Sequence, residues 1–140
     1  MEAKDLMIGD WVYNTHNQQP EQVCEIREHT VMLSYNDLYD YDEIDSIPVT
    51  LEIFEKNGFE IEEEYDEIYD THNYYATLTC VDSEKRNIEV NYSTFGNEIT
   101  VFCHDRQNVL LYRSLETQIK HVHELQHIFK ILKIYKEIVF

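Results

Sequence analysis

The chain is poor in the residues that break or staple a fold. Its 140 residues include three Gly, two Pro and three Cys. So little Gly and Pro excludes collagen-like and linker-like classes. Cys24, Cys80 and Cys103 form an odd, widely spaced set with no C-x-x-C. Neither a disulfide framework nor a thiolate zinc site follows from that pattern. All three are expected to be small buried apolar groups. Cys103 and His104 are neighbours on a strand and point to opposite faces, which argues against a catalytic pair. Cations are scarce as well, with 11 Lys+Arg against 28 Asp+Glu and a formal net charge of −17. A phosphate-neutralising surface needs clustered Lys and Arg, so direct nucleic-acid binding is not expected. Attraction to an anionic membrane is not expected either. No apolar run approaches the roughly 20 residues of a membrane helix. The first residues lack the basic and apolar regions of a signal peptide, so a reducing cytoplasm is the expected location.

Apolar residues make up 43% of the chain and aromatic residues 13%, enough to build a core. The acids are unevenly distributed. Residues 1–50 hold 11 acids and 2 bases, residues 51–73 hold 9 and 1, and residues 74–140 hold 8 of each. The whole excess therefore lies in the first 73 residues.

Residues 5–48 read as four or five short strands with polar turns, closed off by Pro48. So many strands in so short a stretch predict a small curved sheet or barrel. Thr50 to Gly58 reads as a short helix, with Thr50 as cap and Asn57-Gly58 as stop. Glu60 to Asp70 is a charge run expected to be a solvated loop or an exposed edge strand. Residues 74–113 alternate as a three- or four-stranded antiparallel meander. Leu115, Ile119, Val122, Leu125, Phe129 and Leu132 recur at helical spacing, which predicts one long helix capped by Ser114 or Thr117. Glu137 to Phe140 is expected to be a final strand or a docked tail. The expected class is α+β: an N-terminal barrel over residues 1–48, then a meander packed against one long C-terminal helix over residues 49–140.

Three segments occur in order: Met7 to Tyr13 (M-I-G-D-W-V-Y), Ile47 to Phe59, and Val122 to His127 (V-H-E-L-Q-H). Together they resemble a family of small proteins of Bacteroides-type gut bacteria and of their phages and mobile elements. The resemblance implies an accessory role and brings no activity, cofactor or catalytic residue. The Gly9-Asp10-Trp11-Val12 turn is similar to the one that opens the first strand of SH3-like or KOW-like barrels. Resemblance of fold does not give function.

His123-Glu124-Leu125-Gln126-His127 satisfies H-E-x-x-H, in which two imidazoles one helical turn apart hold zinc and the Glu serves as base. At about 100° per residue, however, His123 and His127 fall about 130–170° from the centre of the apolar stripe, toward solvent. The metzincin extension fails, since Lys130 and Lys133 stand where Gly and the third His belong. A zinc hydrolase through His123, Glu124 and His127 is thus the weaker alternative, and no cofactor or metal ligand is assigned. Asp37 to Asp45 does not form an EF-hand loop, because Asp45 occupies the sixth position counted from Asp40, where Gly is required.

Eleven tyrosines remain, many of them within the acidic stretches. Tyrosine suits interfaces, with apolar area and a polar tip. Trp11, Tyr35, Tyr39, Tyr41, Tyr65 and Tyr69 are the candidate contact residues for an unknown protein partner. The expected function is that of a non-enzymatic interaction protein. The alternative is an acidic nucleic-acid mimic acting on a DNA- or RNA-processing protein.

Overall fold

Gly9 has φ +90°, a left-handed conformation open to glycine, and there the chain reverses into its first strand. The turn is tied by Gly9 N to Val23 O at 2.7 Å and by Met7 N to the Asp10 carboxylate at 2.7 Å. In this computed structural model, residues 1–34, 36–81, 85–105, 107, 110–113 and 117–140 are described, with 110–113 as backbone alone. The chain divides into two compact units. One comprises Met1–Pro48 with His121–Ile128, the other Val49–Lys120 with Phe129–Phe140.

The first unit contains β1 (Trp11–Asn14), β2 (Gln19–Ile26), β3 (Thr30–Leu33), β4 (Leu38–Asp40) and β5 (Ile44–Asp45). They form one antiparallel sheet in the order β4-β3-β2-β1-β5. The sequence predicts a barrel here; the structure shows a five-stranded antiparallel sheet that does not close, with no pair between β4 and β5 among the described residues. Val12, Val23, Val31, Leu33 and Ile44 are inward-facing and nearly inaccessible, and with Leu6 and Tyr39 they make the core. Each such side chain contributes about 1.5–3 kcal/mol by leaving water.

The second unit opens with α1 (Leu51–Lys56). The Thr50 hydroxyl accepts from Ile53 N, and Gly58 at φ +83° ends the helix, as its sequence predicts. Its sheet contains β6 (Glu60–Asp66), β7 (Thr71–Val81), β8 (Asn87–Ser93), β9 (Glu98–His104), β10 (Leu110–Arg113) and β11 (Thr117–Gln118). The order is β10-β9-β8-β7-β6, with β11 also paired to β9. Alternate residues of β8 and β9 are buried, and Phe54 stacks on Tyr92 at 4.4 Å within this core. The tail Glu137–Phe140 docks without forming a strand. Asn57 exchanges hydrogen bonds with both backbone groups of Val139, and Ile138 is buried.

The helix α2 (Val122–Ile131) corrects the long helix expected from the sequence. Thr117 and Gln118, placed in the helix by periodicity, pair with Ile99 and Glu98 instead. Sheet pairing satisfies their backbone groups, and the helix starts only after His121. Ser114 and Leu115 lie outside the described residues. Lys133 at φ +54° and a bond from Ile134 N to Phe129 O close the C-terminus. The cysteines differ in burial: Cys103 is buried, Cys80 is half-buried, and Cys24 is exposed rather than part of the core. Among the described residues, no helix is long and apolar enough to cross a membrane.

Candidate functional site: an acidic arm and a histidine cluster

The charge run at residues 60–70 forms β6 and the tip of the β6–β7 hairpin. It holds seven carboxylates and no cation. β6 is the terminal strand of its sheet. From Glu62 to His72 no residue is buried, so this part of the hairpin is an arm with both faces in solvent. Cross-strand contacts shape it. Tyr65 lies against the His72 ring at 4.8 Å, and its hydroxyl donates to Asp70 at 2.5 Å, which raises the phenol pKa. His72 Nδ1 meets the Glu63 carboxylate. The Asp66 carboxylate accepts from Ile68 N at 2.9 Å, folding the tip as an Asx turn. Ile68 and Tyr69 crown the tip at 85% and 75% exposure. Large apolar side chains held this far into water, within a rim of carboxylates, have the composition of an interface anchor.

The candidate contact residues separate accordingly. Tyr65 and Tyr69 are exposed on the arm. Tyr39 is a correction: it is 7% exposed, belongs to the core of the first unit, and accepts at its hydroxyl from Asn17. Tyr41 is half-buried against that core, and its hydroxyl donates to Arg27 O at 2.7 Å. Trp11 is half-buried in β1. Tyr35 lies outside the described residues. In β3–β4, alternation turns every second side chain inward, and Tyr39 pairs with Val31 at an inward position.

The second cluster lies in the first unit, on the N-terminal turns of α2. The helical wheel's assignment of His123 and His127 to solvent is overturned. His123 is 5% exposed, and the His127 side chain is 20% exposed. The Gly9 turn covers that face. Gln126 accepts from Trp11 N at 2.8 Å and donates to Gly9 O at 3.1 Å, and His127 Nε2 meets the fully buried Asp10 carboxylate at 2.7 Å. A wheel registers apolar burial and is blind to a face buried through polar contacts. Gly9-Asp10 and the two histidines stand more than a hundred residues apart, so no local signal links them.

Glu124 accepts from His121 N at 2.9 Å and so caps the helix. The same carboxylate oxygen lies 3.6 Å from His121 Nδ1. The His121 and His123 rings stack nearly parallel, with centroids 5.6 Å apart. One donor atom each from His121, His123 and Glu124 falls within 4.8 Å of the others. His123 Nδ1 is buried without a hydrogen-bond partner. Burial pushes the His123 pKa below the usual imidazole value; Glu124 and Asp10 oppose this, and His121 and His127 reinforce it. A recess of about 450 Å³ is lined by His121, His123, Glu124 and His127, with Lys4 and Asp5 of the N-terminal 3-10 turn.

Compared with protein-family models, curated proteins and solved structures, the chain shows no match.

Proposed function

We propose that the protein is a non-enzymatic accessory protein, of mobile-element or phage origin, that works by docking its acidic β6–β7 arm onto a basic surface of another protein. The observation that carries this is the arm itself: eleven consecutive residues, Glu62 to His72, none of them buried and all but Asp66 exposed, with Ile68 and Tyr69 at the tip. A folded domain gains nothing from holding two large apolar side chains in water, whereas a partner that covers them gains their burial. The surrounding carboxylates add steering and orientation toward a basic surface. The three ordered sequence segments support the mobile-element origin. The strand order β4-β3-β2-β1-β5 supports reading the first unit as SH3-like.

The test is capture from an extract of a Bacteroides-type gut bacterium. Wild type is compared with an Ile68→Ser/Tyr69→Ser variant, and each candidate is rebuilt from purified proteins. The expected partner has a basic surface, loses at least tenfold in affinity between 50 and 500 mM salt, and binds the variant at least tenfold more weakly. A purified partner bound equally well by the variant, or indifferent to salt, overturns the reading. A partner that processes nucleic acid, and from which duplex DNA displaces the arm, supports the mimic reading; the seven carboxylates without a cation favour it.

A further inference from the structure

We propose that His121, His123 and Glu124 bind one divalent transition-metal ion of the zinc class at the start of α2. This rests on the first unit alone and is independent of the arm.

Three observations converge. The donor atoms are already gathered within 4.8 Å of one another. Zinc bonds of about 2.0–2.2 Å place tetrahedral ligand atoms about 3.4 Å apart. His121 Nδ1 and Glu124 Oε2 already stand at 3.6 Å, and atoms no more than 4.8 Å apart reach that spacing by side-chain shifts of about 1.4 Å or less. Next, His123 Nδ1 is a buried polar atom without a partner, in a side chain 95% buried that lines the recess. Buried imidazoles are normally satisfied on both nitrogens or bound to metal. Finally, the recess gives an ion a way in and leaves room for a fourth, non-protein ligand. Two imidazoles and a carboxylate select zinc-like ions over magnesium, which prefers an all-oxygen shell. Asp5 in the recess and Asp10 behind His127 add negative charge that favours a cation, and Lys4, which also lines the recess, is paired with Glu2.

This set is H-x-H-E, and it differs from the H-E-x-x-H arrangement that contains it. Within a helix, residues two apart do not face each other. His121 precedes the helix, in an isolated bridge with Pro48, so its ring is free of helical spacing and stacks on His123. Glu124 contributes a ligand oxygen. His127 is committed elsewhere: its Nε2 is engaged by Asp10, which also accepts from Met7 N.

The test uses the full chain without a polyhistidine tag, stripped with chelator and titrated with Zn²⁺, Co²⁺ or Mg²⁺ by calorimetry and cobalt absorption spectroscopy. One equivalent of Zn²⁺ or Co²⁺ is expected to bind with a Kd below about 10 µM, a threshold well short of the affinity of closed structural zinc sites, and Mg²⁺ is not. His121→Ala and Glu124→Gln are expected to weaken binding at least tenfold. Both side chains are about a third exposed, and Gln retains the cap, so the fold persists. His127→Gln retains a donor for Asp10 and is expected to bind within threefold of wild type. No stoichiometric binding by folded wild type overturns the proposal. So does wild-type affinity in His121→Ala and Glu124→Gln. Loss in His127→Gln with retention in His121→Ala also overturns it, in favour of the His123–His127 pair. Thermal melts of each variant separate lost ligands from lost fold.

Discussion

Glu21 has no exposed surface, yet it sits in β2 as a carboxylate. Asn14, Asn17 and Gln19 all donate side-chain amides to its Oε1, at 2.9, 3.0 and 3.4 Å, while Oε2 is buried without a partner. The carboxylate organises the Asn14–Gln19 turn, gathering the amide of the buried Asn14 with those of Asn17 and Gln19. Glu21→Ala is expected to cost about 1–3 kcal/mol in urea unfolding, because removing the acceptor orphans the buried Asn14 amide. Glu21→Gln keeps an acceptor and is expected to cost less than half as much. Equal costs would show that packing, not acceptance, is what Glu21 supplies. In sequence, Glu21 is one acid among 28. Its burial follows from pairing opposite Val12 in β1, a register that charge counting does not reveal. The same limit explains Tyr39 and His123. Residue type set their expected exposure, and a distant partner decided the actual one. Thr50 and Gly58 were legible because capping acts within one turn of chain.

Hairpins and helices show the same division between local and distant causes. The charge run of Glu60–Asp70 reads as a solvated loop or an exposed edge strand, since seven acids without a cation cannot be buried together, and the structure takes the strand for Glu60–Asp66. That the strand continues as a free arm was not legible; it depends on which residues of β7 are left without a covering layer. The apolar residues from Leu115 to Leu132 keep helical spacing and so predict a longer helix than forms, because Thr117 and Gln118 pair with β9 instead. Because the arm packs on nothing, its tip contributes little to folding. Ile68→Ser/Tyr69→Ser is expected to leave Tm within about 2 °C of wild type, as exposed substitutions generally do. A drop of more than about 5 °C by calorimetry would mean that the tip supports the fold and is not reserved for a partner.

The excess of acid is shared by both units. The first holds 12 acids and 2 bases, net −10, and the second 16 and 9, net −7. Each therefore repels itself, and screening should relieve that repulsion. The Debye length falls from about 30 Å at 0.01 M to about 8 Å at 0.15 M. Raising NaCl over that range is expected to raise Tm by about 3–5 °C. A fall in Tm would instead assign net stability to the ion pairs, such as Lys56–Glu52 and Arg27–Glu25.

The first unit takes its final segment, His121–Ile128, from far down the chain. On the ribosome, residues 1–48 emerge first, but the Asp10 carboxylate and the Trp11 amide must wait for His127 and Gln126. Meanwhile the antiparallel β6–β9 ladder, formed from chain neighbours, can assemble as it is synthesised. The unit whose strands are made first thus waits for a segment made more than seventy residues later, and a ribosome stalled before residue 121 leaves the Gly9 turn without its cover.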